Sequence, residues 1–125
     1  MNRKNPMKLF MDDNRVTPPG FDLRTYTAQE TIELLKTNKI TMVSLDHDLG
    51  DEKQVGSGTQ VINFIEEGAH FGTLNSMKIV VHTSNPVARE RMVMAAASAY
   101  RKWGRKDVVE IVNYDLGTEI SRSRK

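Results

Sequence analysis

The run Thr41-Met42-Val43-Ser44-Leu45 is apolar and ends abruptly in acid and imidazole, at Asp46-His47-Asp48, before Leu49-Gly50 turns the chain. A short apolar run bounded by charge and glycine reads as a buried strand. The signature occurs twice more. Lys8-Leu9-Phe10-Met11 ends at Asp12-Asp13, and Lys78-Ile79-Val80-Val81 ends at His82. Helix signals separate these runs. Thr27-x-x-Glu30 is a capping box opening a helix with Ala28, Ile32 and Leu35 on one face. Val61, Ile62, Ile65 and Ala69 recur at helical spacing after a glycine-rich loop. Asn85 followed by Pro86 starts a third helix, as cap and first helical residue, with Ala88, Met92, Ala95, Ala96 and Ala99 as its apolar face. Thr17-Pro18-Pro19-Gly20 is a turn-rich loop, Arg24-Thr25-Tyr26 a short strand and Val108-Val109-Glu110-Ile111-Val112 the last strand.

Strands alternating with helices imply parallel crossover units in an α/β sheet. The expected architecture is a single flavodoxin-like domain over 1–125. It has a five-stranded parallel sheet of order 2-1-3-4-5 and helices on both faces, with 1–6 and 118–125 flexible. In such sheets ligands bind beyond the carboxyl ends of the strands, where the strand order reverses. Each acid or histidine singled out above follows an apolar run and so belongs at that rim.

Composition narrows the function. The chain has 125 residues and no cysteine, which excludes disulfides, thiolate catalysis and cysteine-held metals. No apolar run is long enough to span a bilayer, and the first six residues lack an apolar secretory core, so a cytoplasmic protein is expected. Residues 1–88 carry 9 basic and 11 acidic side chains, a net −2, and residues 89–125 carry 9 and 5, a net +4. An acidic centre at Asp46–Glu52 beside basic helices does not suit broad duplex DNA binding.

Asp12, Asp13 and Asp46 are expected to converge. Like charges at close range raise each other's pKa, so the cluster needs a cation, and Mg²⁺ accepts two or three carboxylates while keeping waters. His47 and His82, at adjacent strand ends, are placed to flank one phosphate as acid and base, with Asp46 as a third catalytic candidate. Thr83, Ser84 and Asn85 precede a helix N-terminus, where free N–H groups hold anions. Arg15, Arg24, Arg89 and Asp48 complete the substrate-binding candidates; arginine suits bidentate phosphate contact.

The acid pair after the first strand, Asp46 after the third and Thr83 after the fourth resemble response-regulator receiver domains. The lysine such domains carry after the last strand has no counterpart here, since neither Lys106 nor Lys125 ends the Val108–Val112 run. A closer resemblance is to cyclic-phosphate-processing receiver-like domains. It rests on Leu9-Phe10-Met11-Asp12-Asp13-x-Arg15, Arg24-Thr25, Ser44-Leu45-Asp46-His47-Asp48-Leu49-Gly50, Gly58, His82-x-x-Asn85-Pro86 and Arg89-x-Arg91-Met92. Ala88 stands where that family commonly has glycine. The resemblance implies a phosphoesterase acting on a cyclic phosphate of a nucleotide or an RNA end. The alternative is a non-catalytic receiver-like domain that sequesters a nucleotide or contacts a protein partner.

Overall fold

The structure, a computed structural model, describes residues 5–113 and 118–122. Its elements in chain order are β1 (Met7–Met11), β2 (Leu23–Thr25), α1 (Ala28–Thr37), β3 (Ile40–Leu45) and α2 (Glu52–Val55). They continue with α3 (Gly58–Phe71), β4 (Lys78–Val81), α4 (Pro86–Trp103), β5 (Val108–Asn113) and β6 (Thr118–Arg122). The first five strands are parallel, in the expected order β2-β1-β3-β4-β5. The capping box is formed: Thr27 accepts from the Glu30 N–H while the Glu30 side chain accepts from the Thr27 N–H. Among the described residues, no helix is long and apolar enough to cross a membrane.

Helices cover one face of the sheet rather than the two expected. The steps β2 to β3, β3 to β4 and β4 to β5 all move the same way across the strand order. Right-handed crossovers therefore put α1, α3 and α4 on the same side. The one step that moves back, β1 to β2, is a helix-free loop over 12–22. Accordingly Leu9, Met11, Val43, Leu45, Ile79 and Val81 pack in a single core with Ala28 and Ile32 of α1, Val61 and Ile65 of α3, and Met92 and Ala96 of α4. Tyr100 ties α4 to β4, its hydroxyl accepting the Ile79 N–H at 2.7 Å.

The C-terminal segment also departs from expectation. Thr118–Arg122 pairs antiparallel with β5 as a sixth strand, so its backbone is held in the ladder. Its polar composition gives no strand signal, and its backbone joins the sheet at the open edge of β5. Residues 1–4 and 123–125, also expected to be flexible, lie outside the described residues.

Strand register builds the functional rim. Phe10 pairs with Ser44, and Ser44 with Val80. Side chains two residues apart share a face, so Asp12, Asp46 and His82 stand at one level on the helix-free face, just past the strand ends. The ladder extends to them: Asp12 N–H donates to Thr25 O (3.1 Å), Asp46 N–H to Met11 O (3.1 Å) and His82 N–H to Leu45 O (3.0 Å).

Candidate functional site

His82 is the innermost group. Its ring is 1% exposed and stacks on Phe10, with centroids 4.7 Å apart and planes 5° from parallel. Nε2 lies 2.9 Å from Asp12 Oδ2 and Nδ1 lies 2.7 Å from Ser44 Oγ. A carboxylate only accepts, so Nε2 carries the hydrogen and Nδ1 accepts from the serine hydroxyl. Burial pushes the imidazole below its ordinary pKa, outweighing the Asp12 carboxylate that draws it upward.

Asp12 is fully buried. Burial opposes its ionisation. Against that stand the His82 N–H, the backbone N–H groups of Arg15 and Asn14, and the Arg15 guanidinium. Together they hold the carboxyl well below the usual range. Asp46 is shifted the other way: burial first, then the charge of Asp12, push its pKa up. Arg15 Nη1 bridges the two carboxylates, at 2.8 Å from Asp12 and 3.3 Å from Asp46.

Asp12, Asp46 and His82 each offer a ligand atom, all within 4.8 Å of one another. Two carboxylates and an imidazole are a donor set that divalent ions accept. Asp46, ionised against both burial and a neighbouring charge, is a carboxylate that a cation relieves. The set fits a metal ion on chemistry, although Arg15 already lies between the carboxylates, so an ion and the guanidinium would compete. Asp13, the third metal candidate, is exposed and stands apart from this group.

The loop after Asp46 is pinned to the start of α3. Gly58 N–H donates to His47 O at 3.0 Å, and Asp48 bridges to Ser57. A Cβ at Gly58 would lie 2.1 Å from Asp46 O and 2.7 Å from Met92 Cε, so only glycine lets the helix start approach this closely. His47 Nδ1 lies 2.9 Å from Asp48 Oδ1, which fixes the hydrogen on Nδ1 and leaves Nε2 as an acceptor without a partner among the described residues. His47 lines a cleft of about 510 Å³ between α2, the start of α3 and Arg91 of α4.

The remaining candidates support the loops. Arg24 donates to the backbone oxygens of Asp12 (2.7 Å) and Arg15 (2.6 Å) and to Thr17 Oγ1, and its guanidinium lies over the rings of Phe10 and Tyr26. Arg89 donates twice to Thr83 O. Thr83 Oγ1 accepts the Asn85 N–H, and Asn85 caps α4 by accepting the Ala88 N–H. Ser84 is exposed. The structure thus brings together Asp12, Asp46, His82 and Arg15, with His47–Asp48 alongside. The expected pair of imidazoles flanking one phosphate takes a different form: His47 faces a cleft, while both nitrogens of His82 are engaged beneath the surface.

Ser44 and Phe10 also belong to the site and are absent from the residues expected above, although their alternation with Asp46 and Asp12 along the strands is a usable signal. Absent too are Ser57, Thr59 and Asn63, whose only cue is their position at a helix start.

A comparison with curated proteins found no match. The family model described as the cyclic-phosphate processing receiver domain matches residues 7–98. That span holds every candidate side chain described here, and the chain belongs to the cyclic-phosphate processing receiver domain family.

Proposed function

We propose that the domain hydrolyses a cyclic phosphodiester of a nucleotide at the rim formed by Asp46 and His47. The observation that carries this reading is the His47–Asp48 pair, an imidazole that lines a polar cleft with Nδ1 held by Asp48, one residue from a buried carboxylate of raised pKa. His47 Nε2 takes a proton from the attacking water as its oxygen bonds to phosphorus. It returns that proton to the ester oxygen as the P–O bond of the ring breaks, yielding a phosphomonoester. Asp48 holds the imidazole tautomer and stabilises its charged form. Arg15, anchored by two carboxylates, faces the phosphate oxygens. Ser84 and the start of α4 add donors, with Thr83, Asn85, Arg24 and Arg89 fixing the loops.

Asp12 and Asp46 would hold a divalent ion, Mg²⁺ in this reading, which would lower the pKa of bound water and screen phosphate charge. With or without the ion, His82 acts as a positioning residue, keeping Asp12 ionised and aimed at Arg15.

The experiment is a panel of 2′,3′-cyclic, 3′,5′-cyclic and cyclic oligonucleotide substrates, followed for ring opening with Mg²⁺ and after chelation. Ring opening of one class supports the reading. Loss on chelation and return with Mg²⁺ assigns the ion, and turnover unchanged by chelation removes it. Stoichiometric binding without product favours a sequestering domain instead.

A further inference from the structure

The cleft that His47 lines has an unequal charge pattern. Ser57, Thr59 and Asn63 contribute neutral donors and acceptors, Arg91 contributes one cation and Glu52 one anion. The loop leading to it, 46–52, carries four acids and no lysine or arginine, with Lys53 the next residue along the chain. Asp48 and Asp51 are exposed, and Asp51 caps α2, which fixes Glu52 at the cleft. Among the described lining residues, the only ring is the His47 imidazole. The basic side chains Arg101, Lys102 and Arg105 lie at the far end of α4. Arg101 and Lys102 are about 15 Å beyond Arg91 along the helix axis, and Arg105 follows just past the helix, toward the end of the sheet where the strands begin.

We propose that this cleft binds the nucleoside of a single cyclic mononucleotide, with Arg91 on the phosphate and Asn63 on the sugar or base, and that it discriminates against the cyclic end of an RNA chain. This deepens the hydrolase reading and rests on it for the place of the phosphate. Arg15 is already offset by Asp12 and Asp46, so Arg91 is the one cation the cleft itself adds, which suits a single phosphate. An RNA chain adds a further negative charge with every nucleotide, and those charges would run past Asp48, Asp51 and Glu52. Sites for single-stranded RNA pair a basic groove with aromatic platforms for stacked bases, and this cleft has neither. Its volume of about 510 Å³ is that of a small-molecule site.

The test is calorimetric titration of the full chain with two sets of probes. One is the four 2′,3′-cyclic mononucleotides, and the other is hexaribonucleotides ending in the same cyclic phosphates. The best mononucleotide is expected to bind at least about tenfold tighter than its hexamer. Arg91→Gln should weaken that mononucleotide about tenfold, and Glu52→Gln should narrow the gap between the two probes. Both side chains are exposed, and an unchanged melting temperature verifies that each variant is folded. Equal or tighter hexamer binding, indifference to Arg91→Gln, or binding of neither probe overturns the proposal. Selective binding with no ring opening would sink the hydrolytic reading and leave the cleft assignment standing, whereas equal turnover of monomer and hexamer would sink the assignment alone.

Discussion

At Asp46 the fold keeps a carboxylate whose ionisation burial and Asp12 both oppose. Asp46→Asn retains an oxygen to accept the His47 N–H and removes the repulsion. We expect a melting temperature a few degrees higher at pH 7, with ring opening lost. A lower melting temperature would contradict this. His47 lines the cleft with its side chain 19% exposed, so His47→Ala should cost about 10²–10⁴-fold in kcat with at most a small fall in melting temperature. Wild-type turnover would remove His47 from the chemistry.

His82 governs the acid limb of stability. Its folded pKa is pushed below the ordinary 6.5. As pH falls through that value, the unfolded chain binds a proton that the fold refuses, so stability drops. Asp12, held below its ordinary 3.8, adds a second loss at lower pH, while Asp46, shifted up, works in the opposite sense. The melting temperature should therefore fall between pH 7 and pH 5, and His82→Gln should flatten that segment. A native profile that is already flat would contradict the buried neutral imidazole.

Among the elements, the start of α3 has the tightest tolerance. Gly58→Ala places a methyl against the Asp46 carbonyl, which the backbone relieves only by moving the helix away from the Asp46–His47 loop. We expect a loss of about 1–3 kcal/mol in urea unfolding, with reduced turnover. An unchanged midpoint would show that the approach is looser than described. Local signals made these elements readable: the Thr27–Glu30 box, Asn85-Pro86 and the three acid- or imidazole-tipped runs all depend on neighbours within a few residues. Helix sidedness was less readable, because it depends on the direction of each step across the sheet, and the helix-free 12–22 connection changes that count. The convergence of Asp12, Asp46 and His82 was readable from strand ends alone. That Arg15 would bridge the carboxylates was not, because it depends on how the 12–22 loop folds back.

At the scale of the molecule, a sheet covered by helices on one side carries its chemistry along one rim. A buried Ser44–His82–Asp12 chain lies beneath, and an open His47 cleft lies beside it. The sixth strand was invisible to sequence reading because its partner, the exposed edge of β5, exists only in the assembled sheet. Membership of the cyclic-phosphate processing receiver domain family accounts for the motif set, and the geometry divides those motifs between a cleft and the supports behind it. The most direct measurement is phosphorus NMR of a 2′,3′-cyclic mononucleotide incubated with the full chain and Mg²⁺. With the native protein the cyclic-phosphate resonance is expected to give way to that of a monoester, and with His47→Ala it is expected to persist. A resonance that persists with the native protein across the substrate panel, or that disappears equally with His47→Ala, would contradict that expectation.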